Sequence, residues 1–180
     1  MKRTWKKIKS RIVYKNPWIR LYEDEVIRPD GKKGIYGYLF KYPGSFIVVF
    51  DEGYVYLLSE YRYPIQKEIL NLPAGVIEDK SVLKSAKREL FEEVGIIARK
   101  WKKLGSFYTG PGHETTHITV FLATNIDKKK SKMSLQDKTE AINKIIKVKI
   151  PKLKQMIIKG KIECGISLAA LNLFFLHEKK

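Results

Sequence analysis

Leu72-Pro73-Ala74-Gly75 and, one helix further on, Arg88-Glu89-Leu90-Phe91-Glu92-Glu93-Val94-Gly95 are the stretches on which the reading of this chain turns. Ser81 to Val94 has helical spacing, with a serine at the expected N-cap and Gly95 at the expected C-cap. At about 100° per residue, Glu89, Glu92 and Glu93 fall on one arc. Leu83, Ala86, Leu90, Phe91 and Val94 occupy a separate arc and are expected to pack on a sheet. Carboxylates crowded at i, i+3 and i+4 repel one another and destabilise a bare helix. A hard divalent cation removes that repulsion, because Mg²⁺ prefers a few carboxylates together with waters and substrate phosphates. The alternative on spacing alone is a solvated acidic face with an Arg88–Glu92 ion pair.

Outward from this helix, the first third of the chain reads as strands. These are Arg11–Tyr14, Ile19–Ile27 and, after the Asp30-Gly31 turn, Ile35–Tyr42. Ser45–Asp51 and Tyr54–Tyr61 form a second β pair across Asp51-Glu52-Gly53. Ile118–Ala123 is β-branched and aromatic and returns to strand. Asp127–Lys138 is polar and lysine-rich and reads as a mobile loop. A strand at Lys144–Ile150 and helices at Pro151–Lys159 and Ile166–His177 close the chain. Strands first, with helices inserted among and after them, predict an α+β sandwich.

The chain has 180 residues, of which 44% are apolar and 12% aromatic, enough for a buried core and too much for general disorder. No apolar run approaches the roughly 18 residues of a membrane span. Ile166 to Leu176 is too short and is interrupted by Ser167 and Asn172. The basic N-terminus is followed by no apolar segment of a secretory signal. The single Cys164 makes no internal disulfide and is expected as a buried small hydrophobe. Together these predict a soluble, cytoplasmic protein. The net charge is +17, and it lies at the two ends. The first twenty residues hold eight Lys/Arg and no acid, residues 124–180 hold fourteen basic and five acidic side chains, and the middle is balanced. Such ends either attract a polyanion or form a solvated lysine surface, and no aromatic-interleaved RNA motif accompanies them.

Gly75 followed by Arg88-Glu89-Leu90-x-Glu92-Glu93-x-Gly95-Ile96 resembles the signature loop–helix–loop of the Nudix hydrolases. Tyr61-Arg62-Tyr63-Pro64, Leu72-Pro73-Ala74-Gly75 and the later Pro111-Gly112 resemble the family's ADP-ribose pyrophosphatase branch, and the likeness runs from about Trp18 to Leu176. The resemblance implies a Nudix-type α/β/α sandwich with a mixed β-sheet. It places an N-terminal antiparallel β arm at residues 1–42, exchanged across a homodimer, and a hydrolase domain at 43–180. It implies Mg²⁺, with Mn²⁺ as a substitute, held by Glu89, Glu92, Glu93 and the Ala74 carbonyl, while Arg88 braces the loop. Arg62 and Glu68 would face a small-molecule nucleoside diphosphate substrate, with Gly112 on a substrate loop and Trp18, Tyr36 and Tyr38 available to stack a base. Glu92, Glu93 or Glu140, the acid nearest the loop before the last strand, would assist the attacking water. ADP-ribose would then give AMP and ribose 5-phosphate.

The chain departs from this pattern at four places. Gly75 to Arg88 is one residue short, and Lys80 or Ser81 stands where a glutamate usually precedes the helix. Asn71 replaces the glutamate common before Leu-Pro-Ala-Gly. Thr115-Thr116 replaces the acid of the later loop, with Glu114 shifted nearby. Rival readings are a nucleoside diphosphate sugar hydrolase, an RNA-end pyrophosphohydrolase that uses the basic termini, and a non-catalytic Nudix-fold nucleic-acid-binding protein. His113-Glu114-Thr115-Thr116-His117 spells the zincin pattern, but glycines before it and a strand after it deny the helix that would bring the histidines together.

Overall fold

The structure, a computed structural model, describes residues 4–77, 80–131 and 141–178. In chain order the elements are β1 (Lys6–Lys15), β2 (Ile19–Ile27), β3 (Lys33–Lys41), β4 (Gly44–Asp51) and β5 (Tyr54–Arg62). A single 3₁₀ turn, Tyr63–Ile65, leads to β6 (Lys67–Asn71), β7 (Ala74–Val76), α1 (Val82–Val94), β8 (Ala98–Tyr108) and β9 (His117–Ile126). β10 (Ile142–Lys149), α2 (Ile150–Ile158) and α3 (Gly165–Glu178) complete it. None of the described helices is long and apolar enough to cross a membrane.

Two compact units emerge. Met1–Pro43 joins with Phe107–His117, and Gly44–Ser106 joins with Ile118–Lys180. Residues 107–117, placed by the sequence reading in the second unit, thus cluster with the first. The first unit is an antiparallel sheet in the order β1-β2-β3. Its charges alternate across the ladder: Lys9 faces Glu25, and Arg11 faces Glu23 with a contact at 2.6 Å. The arm's basic surplus is therefore partly met by acids of the adjacent strand.

The second unit is a mixed sheet in the order β10-β5-β4-β9-β8, with β6 on β5 and β7 on β4. β4 runs parallel to β9 and antiparallel to β5 and β7. On one face Ile47, Val49, Tyr56, Leu58, Phe121 and Ala123 pack under Ala86, Leu90 and Val94 of α1. On the other, Phe50 of β4 meets Phe174 of α3 at 5.4 Å between ring centroids. This is the expected α/β/α sandwich. Phe91 is the exception in the apolar arc of α1: at about 100° per residue it falls at the edge of that arc, and it is 40% exposed.

β6, β7 and β8 are absent from the sequence reading. β7 is three residues long and preceded by Leu72-Pro73, and β8 is the lysine-rich edge of the sheet, so neither shows strand alternation. β4 and β5 pair only near their turn, at Phe50–Val55 and Asp51–Tyr54. Beyond it they diverge, β4 taking β7 as partner and β5 taking β6. The Pro73 carbonyl accepts from Ile47 N at 2.8 Å, and Ser167 Oγ of α3 accepts from Leu72 N at 3.0 Å. The Leu72-Pro73-Ala74-Gly75 segment is pinned from both sides in the split between the strands.

Candidate active site

α1 begins where the sequence says it should. Ser81 is extended, its hydroxyl accepts from Lys84 N, and Gly95 ends the helix in the left-handed region at φ 67°. The helix brings its carboxylates to the pinned segment. Glu93 is buried, and its carboxylate accepts a hydrogen bond from Ala74 N at 2.9 Å. Glu89 lies against Gly75, where an added Cβ would stand 2.0 Å from Glu89 Cδ and 2.3 Å from its Oε2. Only a glycine leaves room for that carboxylate. Arg88 reaches Glu89 at 2.8 Å and Glu92 at 2.7 Å, so the Arg88–Glu92 pair foreseen from spacing is present and relieves part of the repulsion.

The donors suit a hard divalent cation, since they are carboxylates beside a cradle that a methyl group would fill. Among the described residues, no group of three or more His, Cys, Asp or Glu side chains is already gathered at metal-binding geometry. The Glu92 carboxylate faces Arg88, and its side chain is 45% exposed.

The remaining predicted residues are distributed as follows. Leu58 belongs to the core under α1, so the alternation of β5 carries Glu60 and Arg62 to that same face. Asn71, opposite Leu58, shares it. Arg62 is paired with Glu60 at 2.8 Å. Glu68 is opposite Tyr61 and projects from the other face, where it accepts from Ser59 Oγ at 2.5 Å. Arg62 and Glu68, grouped as substrate contacts in the sequence, are not brought together. Glu140 lies outside the described residues.

Trp18 and Gly112 belong to the first unit. The Trp18 indole is 73% exposed, and the Gly112 carbonyl accepts from Tyr36 Oη at 2.7 Å. Tyr38 stacks on Tyr22 at 5.3 Å. Glu114 is consumed within its own loop, taking hydrogen bonds from Thr109 and Thr116 and facing Lys41 at 3.6 Å. Its burial alone would raise the carboxyl pKa, but those hydroxyls and Lys41 together hold it below the usual value. His113 sits in a turn against Gly110, and His117 starts β9 with its ring against Tyr108 at 4.8 Å. No helix aligns them, and the zincin pattern is accidental.

Sequence reasoning missed Glu60, which anchors Arg62, and Ser167, which holds Leu72. The spacing Leu58, Glu60, Arg62 along an alternating strand was a usable signal for the first. Nothing local announces the second.

Compared with known proteins, residues 41–164 match the model of the NUDIX domain. The chain belongs to the Nudix family. Residues 5–39 of this Nudix hydrolase match the nucleoside diphosphate sugar hydrolase N-terminal domain. It is 33% identical to an ADP-ribose pyrophosphatase of Bacillus subtilis over 73% of this chain and 72% of that one. It is 28% identical to a methanol dehydrogenase activator of Bacillus methanolicus over 96% of this chain and 94% of the relative. An ADP-ribose pyrophosphatase of Mycobacterium tuberculosis is 31% identical over 46% of this chain and 41% of its own. The fold matches the crystal structure of an ADP compounds hydrolase with a TM-score of 0.85, 17% identity and coverage of 97% and 94% of the two chains.

Proposed function

We propose that this Nudix hydrolase cleaves the diphosphate of ADP-ribose to AMP and ribose 5-phosphate, with Mg²⁺ as its cofactor and Mn²⁺ able to substitute. The observation that carries the reading is the convergence of Glu89 and Glu93 on the Ala74-Gly75 backbone. Two relatives named as ADP-ribose pyrophosphatases support the choice of substrate.

Glu89, Glu92, Glu93 and the Ala74 carbonyl would hold the cation, with Glu92 released from Arg88 as it binds. The bound cation supplies charge neutralisation at the diphosphate and a more acidic water. Arg62 offers the phosphate oxygens a planar fork of donors. Glu92, Glu93 or Glu140 receives the proton of the attacking water. Trp18 presents an exposed indole of the kind that stacks a nucleobase, and the Gly112 backbone borders a substrate loop. The working form is a cytoplasmic homodimer that exchanges its N-terminal arms, and the basic termini serve solubility or the attraction of an anionic substrate.

The test is release of AMP or phosphate, with and without Mg²⁺, from ADP-ribose, nucleoside diphosphate sugars, dinucleoside polyphosphates and triphosphorylated RNA. Selective, Mg²⁺-dependent turnover of ADP-ribose is expected. Preference for a nucleoside diphosphate sugar would move the substrate assignment. Turnover confined to triphosphorylated RNA, or RNA binding without any turnover, would overturn it.

A further inference from the structure

Glu60 is a carboxylate for which the proposed chemistry has no task, and it is 8% exposed. Burial of an ionised carboxylate is unfavourable unless it is paired and hydrogen-bonded. Both of its oxygens are engaged. Oε1 pairs with Nη1 of Arg62 at 2.8 Å, and Oε2 accepts from Nδ2 of Asn71 at 3.0 Å. Asn71 is itself 1% exposed, and its Oδ1 has no hydrogen-bond partner among the described residues. A buried amide left with an unmet acceptor is a liability if its only purpose is packing. It is accounted for if the Nδ2–H is needed to set the orientation of the Glu60 carboxylate.

Arg62 is the one member of this chain of contacts that reaches solvent, its side chain being 45% exposed. A guanidinium carries five N–H donors in a fixed plane, so an anchor at one nitrogen leaves an outer edge free for phosphate oxygens. Held in place beforehand, the arginine has fewer rotamers to lose when a ligand binds. The two strands supply the rigidity: Glu60 and Arg62 are two residues apart on β5, and Asn71 comes from the paired β6.

We infer that Glu60, braced by Asn71, is a positioning residue that aims Arg62 at the substrate's diphosphate. This rests on the proposed contact between Arg62 and that diphosphate. Glu60 acts only through Arg62, whose positive charge also screens the carboxylate from the anionic substrate.

The test compares wild type with Glu60→Gln, Glu60→Leu, Arg62→Ala and the double variant Glu60→Gln/Arg62→Ala. Readouts are steady-state hydrolysis of ADP-ribose with Mg²⁺, the heteronuclear NOE of the Arg62 Nε–H, and the melting temperature. Both Glu60 variants should raise KM by roughly 5- to 10-fold with kcat within about twofold, a loss of binding more than of chemistry. The Arg62 Nε–H should change from ordered to mobile. The double variant should be no worse than Arg62→Ala, because a residue that acts through another adds nothing once that other is gone. Glu60→Gln keeps the shape and covers the case in which Glu60→Leu fails to fold. A lowered melting temperature with unchanged KM and an ordered Arg62 would assign Glu60 a purely structural role and overturn the inference. So would a double variant whose KM effects multiply. If wild type leaves ADP-ribose intact, the substrate assignment fails by itself, and the Arg62 NOE still decides the positioning.

Discussion

Gly75 and Glu93 concentrate the residue-scale argument. A Cβ at Gly75 would overlap the Glu89 carboxylate, so an alanine there must push that side chain out of its place beside Gly75. Gly75→Ala should therefore fold and lose activity, which circular dichroism together with a Mg²⁺ titration of turnover would check. Glu93→Gln retains an oxygen for Ala74 N but removes a charge. Its kcat should fall by about 100-fold or more, reflecting several kcal/mol of lost transition-state stabilisation. A fully active Glu93→Gln enzyme would exclude Glu93 from the metal site. The missing glutamate before the helix and the shortened loop have not kept Glu93 from reaching the Ala74 amide.

At the scale of elements, α1 serves two surfaces at once. Its apolar side, through Ala86, Leu90 and Val94, is fully buried on the sheet, and this attachment holds the acidic side at the pinned loop. Leu90→Ala should destabilise the protein by about 2–5 kcal/mol, since the surrounding side chains relax only partly into the cavity. Ser81→Ala removes the cap and should cost about 1 kcal/mol. Urea denaturation checks both. The Leu90 variant is expected to lose activity in parallel with stability, and the Ser81 variant to remain active below its transition. The divergence of β4 from β5 is equally a property of elements. Each strand exchanges a long neighbour for a short one, and the split so made receives the Leu72–Gly75 segment.

For the whole molecule, charge is the controlling quantity. Several carboxyls titrate below their ordinary values. Asp30 is lowered by the Lys32 backbone N–H and by Arg28, and Glu52 by Lys128. For Asp127 and Glu114, burial pushes upward, but Arg99 and backbone N–H groups outweigh it at the first, and hydroxyls with Lys41 at the second. A lowered folded pKa contributes stability that is complete above the unfolded value and is lost as the pH falls through the folded one. The melting temperature should be nearly level from neutral pH to about 5 and drop below about pH 4, where unfolded carboxyls take up protons. Glu114→Gln should make that drop shallower. β1 exposes Ile8, Ile12, Val13 and Tyr14, and Trp5 and Trp18 beside it are exposed as well, an apolar patch of the kind that marks an interaction surface. Sedimentation should accordingly show a dimer, and removal of residues 4–15 should shift the species toward monomer.

Local sequence determined what short-range chemistry controls. Ser81 and Gly95 set the ends of α1, the Asp51-Glu52-Gly53 turn between two apolar runs set two strands, and the spacing of Glu89, Glu92 and Glu93 put three carboxylates on one side of a helix. Those effects act within a turn or a pleat, so neighbouring residues suffice to specify them. Tertiary structure alone decided which carboxylates meet the backbone. It turned Glu93 inward to Ala74, sent Glu68 to the far face of the sheet, and set Asn71 beside Glu60. Each of these depends on strand register and on where the sheet splits. Register follows from long-range pairing between distant segments, and a shift of one residue would reverse every one of those faces.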